Sequence, residues 1–580
     1  MSKLLHKKEK RISFTLPIEK ILRFCYYANK KPLFLLEKEF PMSYYKSFEI
    51  GGASPLCPTP SEEIVDLLAG VPHLGVEADA PIGENFQTDH FNSPDRLFTL
   101  TNGVTCKEYD FHDPAFTHFS AGTGRTVYFR LPYLSAASGF CAKFLYQKSA
   151  GVRLPSCVRV YLSEDGKAWQ LVDRKRCTHV GTEDCIITVE GEFKAAYRAS
   201  YVKFAFDLSG HVWIESFSLM GCTLLSHATE LTPDKEETDP RIMNRYPTYE
   251  ELDGVQNIVL AYHSMPPEKH PEGRPFTVEE FLPYVGYYDK EGKLTDTFFD
   301  GALFLPFSNF TYSKLYKCAE GWNYYLDNTF KDGWNVDALN TATEMVCKEL
   351  GVEQKTKVFL SILHTKPEYG DFPEKFGDLD GDGVDEDLST AEDRKKVTKW
   401  YIDEALKRYN EKERPYLQLS GFYWFEEQIT YSDPMELEIL AFAKDYVHSL
   451  GYKLIWIPYY QAWGYDRWKE NGFDVACVQP NYSFSKGATK QRLYDNAMLA
   501  KKFGLCYELE FTGGNNAEDI RRYTEYLDCG AKTGFMHTIK MYYEGGRGFL
   551  AACQTKDPLF RTVYDNTYLF AKEKYIAQEE

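Results

Sequence analysis

Eight short apolar runs between Asn257 and Tyr543 constrain the fold of this chain more than any other feature. They are NIVLAYHS (Asn257–Ser264), FDGALFLPF (Phe299–Phe307), KVFLSILHT (Lys357–Thr365), LSGFYWFEE (Leu419–Glu427), KLIWIPYY (Lys453–Tyr460), DVACVQPNY (Asp474–Tyr482), GLCYELEF (Gly504–Phe511) and GFMHTIKMYY (Gly534–Tyr543). Near-continuous apolar runs of this length read as strands buried on both faces, the condition of a parallel sheet. Amphipathic helical stretches fall between or after them at 335–350, 392–409, 434–450, 489–503, 517–527 and 561–575. Eight such strands, most followed by a helix, predict an α/β fold: a (β/α)8 barrel of the TIM type. A doubly wound open sheet would place a Gly-rich turn after the first strand, and AYHSMPPEKHPEG offers none.

Upstream, from Phe98 to Leu225, short runs rich in Val, Tyr and Phe are separated by Gly, Asp and Ser turns, which predicts an antiparallel β-sandwich. The phrases LTNG (Leu100–Gly103), VRVYLSEDGKAWQLV (Val158–Val172), AYRASYVKFAF (Ala196–Phe206) and VWIESFSLMG (Val212–Gly221) resemble the discoidin-like, galactose-binding-type jelly roll. The S-x-D-G-x-x-W turn at Ser163, Asp165, Gly166 and Trp169 is its most telling part. The resemblance implies that Ser-Asp-Gly closes a hairpin and that Trp169 packs inward, which are structural roles. Asn102 stands where many relatives carry an Asp near a calcium site, so no metal is expected there. The charged, aperiodic segment 228–254 reads as a linker. The expected domains are therefore a sandwich over 42–225, a linker over 226–255 and a barrel over 256–580. Residues 1–41 fit neither domain. Lys38-Glu39 can be encoded by the ribosome-binding sequence AAGGAG shortly before Met42, so translation is expected to start at Met42.

Composition narrows the partners. Lys and Arg number 67 against 85 Asp and Glu, a formal net charge of -18, which disfavours nucleic acid and anionic membrane. The 42 Tyr, 40 Phe and 9 Trp can fill a large core, and such rings also stack on the apolar faces of sugars. The 14 cysteines are scattered, without C-x-x-C or the Cys/His spacing of a zinc site. MSKLLHKKEKRISFTLP contains no continuous apolar core of a signal peptide, and no later run has the length of a membrane span. A cytoplasmic protein with reduced thiols is expected.

In a barrel of this kind the active site lies at the C-terminal ends of the strands. Those ends carry His263, Asn309, His364, Glu426/Glu427, Tyr459/Tyr460, Gln479/Asn481, Glu508/Glu510 and Tyr542/Tyr543/Glu544. Glu508 and Glu510 are two apart and face the same way, into the barrel if Tyr507, Leu509 and Phe511 face the helices. Buried acids must share protons, hydrogen-bond or meet cations, and such groups gather at functional sites. Glu426 and Glu427 are consecutive, so only one faces inward. Phe422/Trp424 and Tyr423/Phe425 are equally apolar, and parity within the run does not choose between the two acids.

A Glu closing strand four and another closing strand seven resemble the clan A glycoside hydrolases. The resemblance implies a retaining double displacement, with the strand-four Glu as general acid/base and the strand-seven Glu as nucleophile, about 5 to 5.5 Å apart. The clan usually has Asn immediately before its acid. Here Phe425 or Glu426 stands there, which leaves the 2-hydroxyl contact unassigned. Over residues 256–577 the phrases GFYWFEE, VQPNYSF, YELEF and FGDLDGDGVDEDL before DRKKVTKWYIDEAL resemble a bacterial family, domain of unknown function 4855. Of the two acids after GFYW, this resemblance favours Glu427 over Glu426.

DLDGDGVDED (Asp378–Asp387) resembles a calcium loop, with Asp378, Asp380 and Asp382 at positions 1, 3 and 5 and Gly383 at 6. Ser389 takes the place of the bidentate Glu at position 12. A bound calcium there would order the rim and would not be the catalyst. His263, His364 and His537, near strand ends, read as hydrogen-bonded core or subsite residues rather than metal ligands.

The expectation is a glycoside hydrolase acting on oligosaccharides without a required cofactor. Glu510 would be nucleophile, Glu427 acid/base, Glu508 a pKa-setting or hydroxyl-binding partner, and Glu426 the remaining candidate. Trp424, Tyr459, Tyr460, Gln479, Asn481 and Tyr482 would contact sugar, with His263, His364 and Tyr542 also lining the subsites. Two other readings are a non-catalytic carbohydrate-binding protein and a metal-assisted hydrolase in which the acids and His364 hold a divalent ion.

Overall fold

The computed structural model of the chain describes residues 50–78, 96–120, 124–147, 150, 152–179, 181, 183–208, 211–233, 240–263, 273–365, 375–431 and 433–578. Residues 1–41, the expected extension, lie outside the described residues, as does Ser264 at the end of the first apolar run.

The N-terminal part is one connected antiparallel sheet of eight strands. These are β1 (Val65–Asp66), β2 (His73–Ala78), β3 (Thr117–Ser120), β4 (Gly124–Tyr146), β5 (Cys157–Ser163), β6 (Gln170–Arg176), β7 (Cys185–Asp207) and β8 (His211–Cys222). The long strands β4 and β7 pair from Gly124↔Asp207 to Tyr146↔Cys185, with register shifts at Arg130/Ser135 and Ala137/Gly139. Bulges of this kind bend a strand. The sheet curls enough that Phe204 of β7 and Phe217 of β8, on strands with no ladder between them, stack at 4.4 Å inside a common apolar core. The turn at Ser163 closes the β5–β6 hairpin: the Ser163 hydroxyl accepts from the Gly166 N–H, and Asp165 accepts from the Lys167 and Ala168 N–H groups. Trp169 is half-buried, edge-on to Tyr128 and Tyr201.

The eight later apolar runs close into a parallel barrel, in the order β12-β13-β14-β15-β16-β17-β18-β9. Its strands are β9 (Asn257–His263), β12 (Gly301–Pro306), β13 (Thr356–Ile362), β14 (Leu417–Trp424), β15 (Lys453–Trp456), β16 (Val475–Val478), β17 (Cys506–Glu510) and β18 (Lys540–Tyr543), with a side hairpin β10 (Gly286–Tyr288) and β11 (Leu294–Thr297) after β9. Several strands are shorter than their apolar runs, so Tyr459, Gln479 and Asn481 sit beyond the ladder at the mouth. Alternate residues divide cleanly. Ile258, Leu260, Leu303, Leu305, Phe359, Tyr423, Ile455, Ile457, Val475, Cys477, Cys506 and Met541 fill the barrel interior. Val259, Ala261, Phe304, Phe422, Trp424, Trp456, Tyr507, Leu509 and Tyr542 pack outward, with Trp322, Tyr401, Val447 and Phe503 of the helices. Gly421 is where two strands come close: a Cβ there would lie 2.3 Å from the Lys453 carbonyl oxygen.

Helices follow most of the strands, including Ala391–Asn410 after β13, Pro434–Ser449 after β14, Gln491–Phe503 after β16 and Ala517–Thr533 after β17. The alternation breaks after β15, where the only helical turn is Tyr465–Arg467. That segment packs against the N-terminal sheet instead. Asp207, at the end of β7, is buried among Arg467, Arg159 and Arg241 and accepts from the Ser156 hydroxyl at 2.6 Å. Arg241 also reaches Asp466 at 2.5 Å. Burying so many ions is compensated only by their mutual pairing.

Among the described residues no helix is long and apolar enough to cross a membrane, and the thirteen described cysteines are free thiols.

Candidate functional site

The closed barrel sets the parity that the strand-four run leaves open. Tyr423 belongs to the interior, Trp424 to the helix layer. Two residues on from Tyr423 and four on, Phe425 packs against the interior core and Glu427 lines a cavity of about 330 Å³ at the mouth. Glu426 follows Trp424 outward. Its carboxylate lies 3.5 Å from His364 Nδ1, and its carbonyl accepts from Trp456 Nε1 at 2.7 Å.

Glu508 and Glu510 of β17 line the same cavity as Glu427. With Tyr507, Leu509 and Phe511 held in the helix layer, the pleat aims both acids inward. Glu508 is 2% exposed, and its Oε2 has no hydrogen-bond partner among the described residues. Burial, reinforced by the charges of Glu510 and Glu427, pushes its carboxyl well above the ordinary carboxylate range.

Glu510 is buried but better provided. Tyr526 donates its hydroxyl to Oε2, and the Tyr482 N–H donates to the same oxygen at 3.3 Å. Asn481, at φ 50°, takes the left-handed conformation that Asn tolerates, and the backbone N–H groups of Asn481 and Tyr482 both favour the ionised acid. Burial outweighs these donors and pushes Glu510 up to about 7.

The remaining lining is aromatic and amide, with Tyr262, Tyr423, Tyr459, Phe484, Tyr543, Gln479 and Asn481, and aliphatic, with Leu260, Leu305 and Ile457. Tyr262 and Phe484 both stand edge-on to Tyr543, at 5.5 and 5.4 Å. Tyr459 is anchored to strand four, its N–H donating to the Glu427 carbonyl at 3.3 Å and its hydroxyl to Gln428 at 2.9 Å.

Other expected contacts lie elsewhere. His263 is fully buried, stacked on Tyr325 at 4.8 Å with Nε2 3.2 Å from the Thr329 hydroxyl, and burial lowers its pKa to about 3. Trp424 packs beside His364 in the helix layer. Tyr542 also faces outward, its hydroxyl donating to Asn257 at 2.9 Å. Tyr482 supplies its backbone N–H to the site while its hydroxyl donates to Glu525 at 2.5 Å. Tyr460 is half-buried beneath Arg492, 4.5 Å from the ring centre, and does not line the cavity. Tyr262 and Tyr423 are liners not among the strand-end residues named from the sequence, and Tyr543, which is among them, lines the cavity in place of the expected Tyr542. The signal that finds them is the register β17–β18–β9: Glu510 pairs with Tyr543 and Glu508 with Met541, Met541 pairs with Ile258, and Tyr262 shares the face of Ile258.

Among the described residues the cavity acids and His364 do not form a three-ligand group. Among the described residues the one group of three acids, histidines or cysteines whose ligand atoms all lie within 4.8 Å of one another is Asp378, Asp380 and Asp382. In that exposed loop Asp378 already accepts from the N–H groups of Gly381, Asp382 and Gly383. Lys396 bridges Asp380 and Glu386 at 2.5 Å each, so part of the loop's charge is met by an ammonium. Three convergent carboxylates fit a calcium ion; Lys396 competes for one of them.

A family profile described as "Domain of unknown function (DUF4855)" matches residues 257–569. No curated protein matches the sequence. Among solved structures, the CBM22-1–GH10 modules of Clostridium thermocellum endo-1,4-beta-D-xylanase 10B, complexed with xylohexaose, are 9% identical. That match covers 78% of this chain and 93% of that one at a TM-score of 0.29. The GH31 alpha-xylosidase of Xanthomonas citri is 9% identical over 91% of this chain and 59% of that one, at 0.30. A family 32 carbohydrate-binding module of Clostridium perfringens, CpGH89CBM32-5 in complex with GalNAc-beta-1,3-galactose, is 13% identical over 25% of this chain and 94% of that one, at 0.18. TM-scores of this size are too low to transfer fold or chemistry.

Proposed function

The chain belongs to the DUF4855 family, and since that description names no activity, we propose from the site itself that it is a retaining glycoside hydrolase acting on oligosaccharides. The observation that carries this reading is that Glu427, just beyond β14, and Glu510, at the end of β17, line one cavity at the mouth of a closed parallel barrel. In this reading the barrel is of the TIM type and the N-terminal sheet is a galactose-binding-like jelly roll.

Glu510 attacks the anomeric carbon as Glu427 protonates the departing glycosidic oxygen, leaving a glycosyl ester on Glu510. Glu427, now ionised, takes a proton from water, whose oxygen attacks the same carbon and releases Glu510. The donors from Tyr526, Asn481 and Tyr482 favour the ionised nucleophile and offset part of its burial. Gln479 and Asn481 offer amides to sugar hydroxyls, and Tyr262, Tyr423, Tyr459 and Tyr543 offer ring faces.

Glu510→Gln tests the assignment. Hydrolysis of aryl glycosides should fall by at least a thousandfold with the thermal transition retained, and the first product seen by NMR with wild-type protein should keep the substrate's anomeric configuration. Undiminished turnover rejects the nucleophile; inverted product rejects the double displacement. Sugar binding without turnover in the wild type would place the chain among non-catalytic carbohydrate-binding proteins.

A further inference from the structure

We infer that the mouth cavity recognises a cationic ligand group, and that the sugar it takes is an amino sugar with a free ammonium; this rests on the glycosidase reading for the word sugar, but not for the word cationic. The lining contains three carboxylates, Glu427, Glu508 and Glu510, and no Lys, Arg or His among its described residues. A retaining displacement uses two carboxylates. Glu508 is left over, on the floor of the cavity one pleat below Glu510, with an oxygen that has no hydrogen-bond partner among the described residues.

A buried, unpartnered carboxylate oxygen is costly, and a neutral hydroxyl relieves only part of that cost. An ammonium relieves more of it, because it donates a charge-assisted hydrogen bond and offsets the mutual repulsion of three acids lining one cavity. Five rings, Tyr262, Tyr423, Tyr459, Phe484 and Tyr543, surround the same space. Aromatic faces attract cations, so the wall and the floor favour the same ligand charge. The elevated proton affinity of Glu508 fits a site waiting for a cation: an ammonium that docks there displaces the acid's proton.

The test is calorimetry on the full chain with D-glucosamine and D-galactosamine, their N-acetyl derivatives, and D-glucose and D-galactose, at pH 7 in two buffers of different ionisation enthalpy. At least one free amine should bind about tenfold or more tighter than its N-acetyl and hydroxyl counterparts, the order of one charge-assisted contact, and should release protons on binding. Glu508→Gln, isosteric and uncharged, should erase both the preference and the proton release, while the circular dichroism spectrum reports the fold. Equal affinities across each series, or a preference that survives Glu508→Gln, overturn the inference. Turnover of neutral aryl glycosides without any amine preference would leave the hydrolase reading standing and this one rejected. An amine preference dependent on Glu508 in a chain that hydrolyses no glycoside would do the reverse.

Discussion

Tyr526, on the helix after β17, donates its hydroxyl to the Oε2 of Glu510, a carboxylate sealed from solvent in the barrel mouth. This hydrogen bond supports the ionised acid where burial opposes it. Tyr526→Phe should therefore raise the pKa of Glu510 by about one unit, the scale of a bond to a charged group at roughly 1.5 to 3 kcal/mol less what relaxation recovers. The acidic limb of kcat/KM should move to higher pH, with kcat/KM at pH 6 reduced by up to about tenfold. A pH–rate profile that superimposes on wild type refutes the coupling.

Glu426 and Glu427 are neighbours in sequence and face opposite sides of the barrel wall. Glu427→Gln should lower turnover of substrates with poor leaving groups by a thousandfold or more, and with activated aryl glycosides, where breakdown of the glycosyl ester becomes the slow step, added azide should rescue part of the loss by replacing water as nucleophile. Glu426→Gln should cost less than about tenfold, because that carboxylate meets His364 outside the cavity. Steady-state kinetics on both variants decides the matter, and the reverse ranking would exchange their roles.

The buried acids make stability depend on pH in a defined direction. Glu510 titrates near 7 in the folded chain against an ordinary value of 4.5, so between these limits the folded state holds more protons than the unfolded one. Stability then falls as pH rises through that window, by up to about 3 kcal/mol for this group at 1.36 kcal/mol per unit. Glu510→Gln should raise the Tm more at pH 8 than at pH 5. Calorimetry showing the opposite order would contradict the burial argument.

Asp207 ties the N-terminal sheet to the segment after β15 through Arg467, and that segment carries Tyr459 at the cavity. Asp207→Asn leaves Arg467 and Arg159 without their buried counter-charge. Breaking one partner of such a network costs about 3 to 5 kcal/mol. The Tm should drop by several degrees and KM should rise more than kcat falls, since Tyr459 is displaced while the catalytic acids stay on their strands. Unchanged Tm and KM would show that the ionic contact carries no coupling.

Calcium offers a simpler check. Saturating EDTA should leave kcat unchanged, because no cavity acid belongs to the group of carboxylates that converges on the loop at Asp378, Asp380 and Asp382. Loss of turnover restored by a divalent ion would revive the metal-assisted reading.

Much of the frame is legible in the residues. Eight apolar runs become the eight strands of the closed barrel, and the i, i+2 spacing of Glu508 and Glu510 suffices to put both on one face. What local pattern cannot supply is the sign of a face in a run apolar on both sides. In FYWFEE every residue before the acids is equally at home in either core, and Tyr423 and Trp424 exchange places at no cost in hydrophobicity. The same ambiguity assigns His263 and Tyr542 to the site although both pack outward, since a strand's last polar residue marks the mouth and not the side.

The sequence alone thus determined the order of elements, the strands that bear acids, and the parity within each strand, because these depend on residue type and a period of two. The tertiary structure decided which parity is interior, that Glu427 and not Glu426 joins Glu508 and Glu510, and that the segment after β15 packs against the N-terminal sheet at Asp207. Those outcomes depend on closing the barrel and pairing buried charges between residues 260 positions apart, and no local pattern encodes a closure.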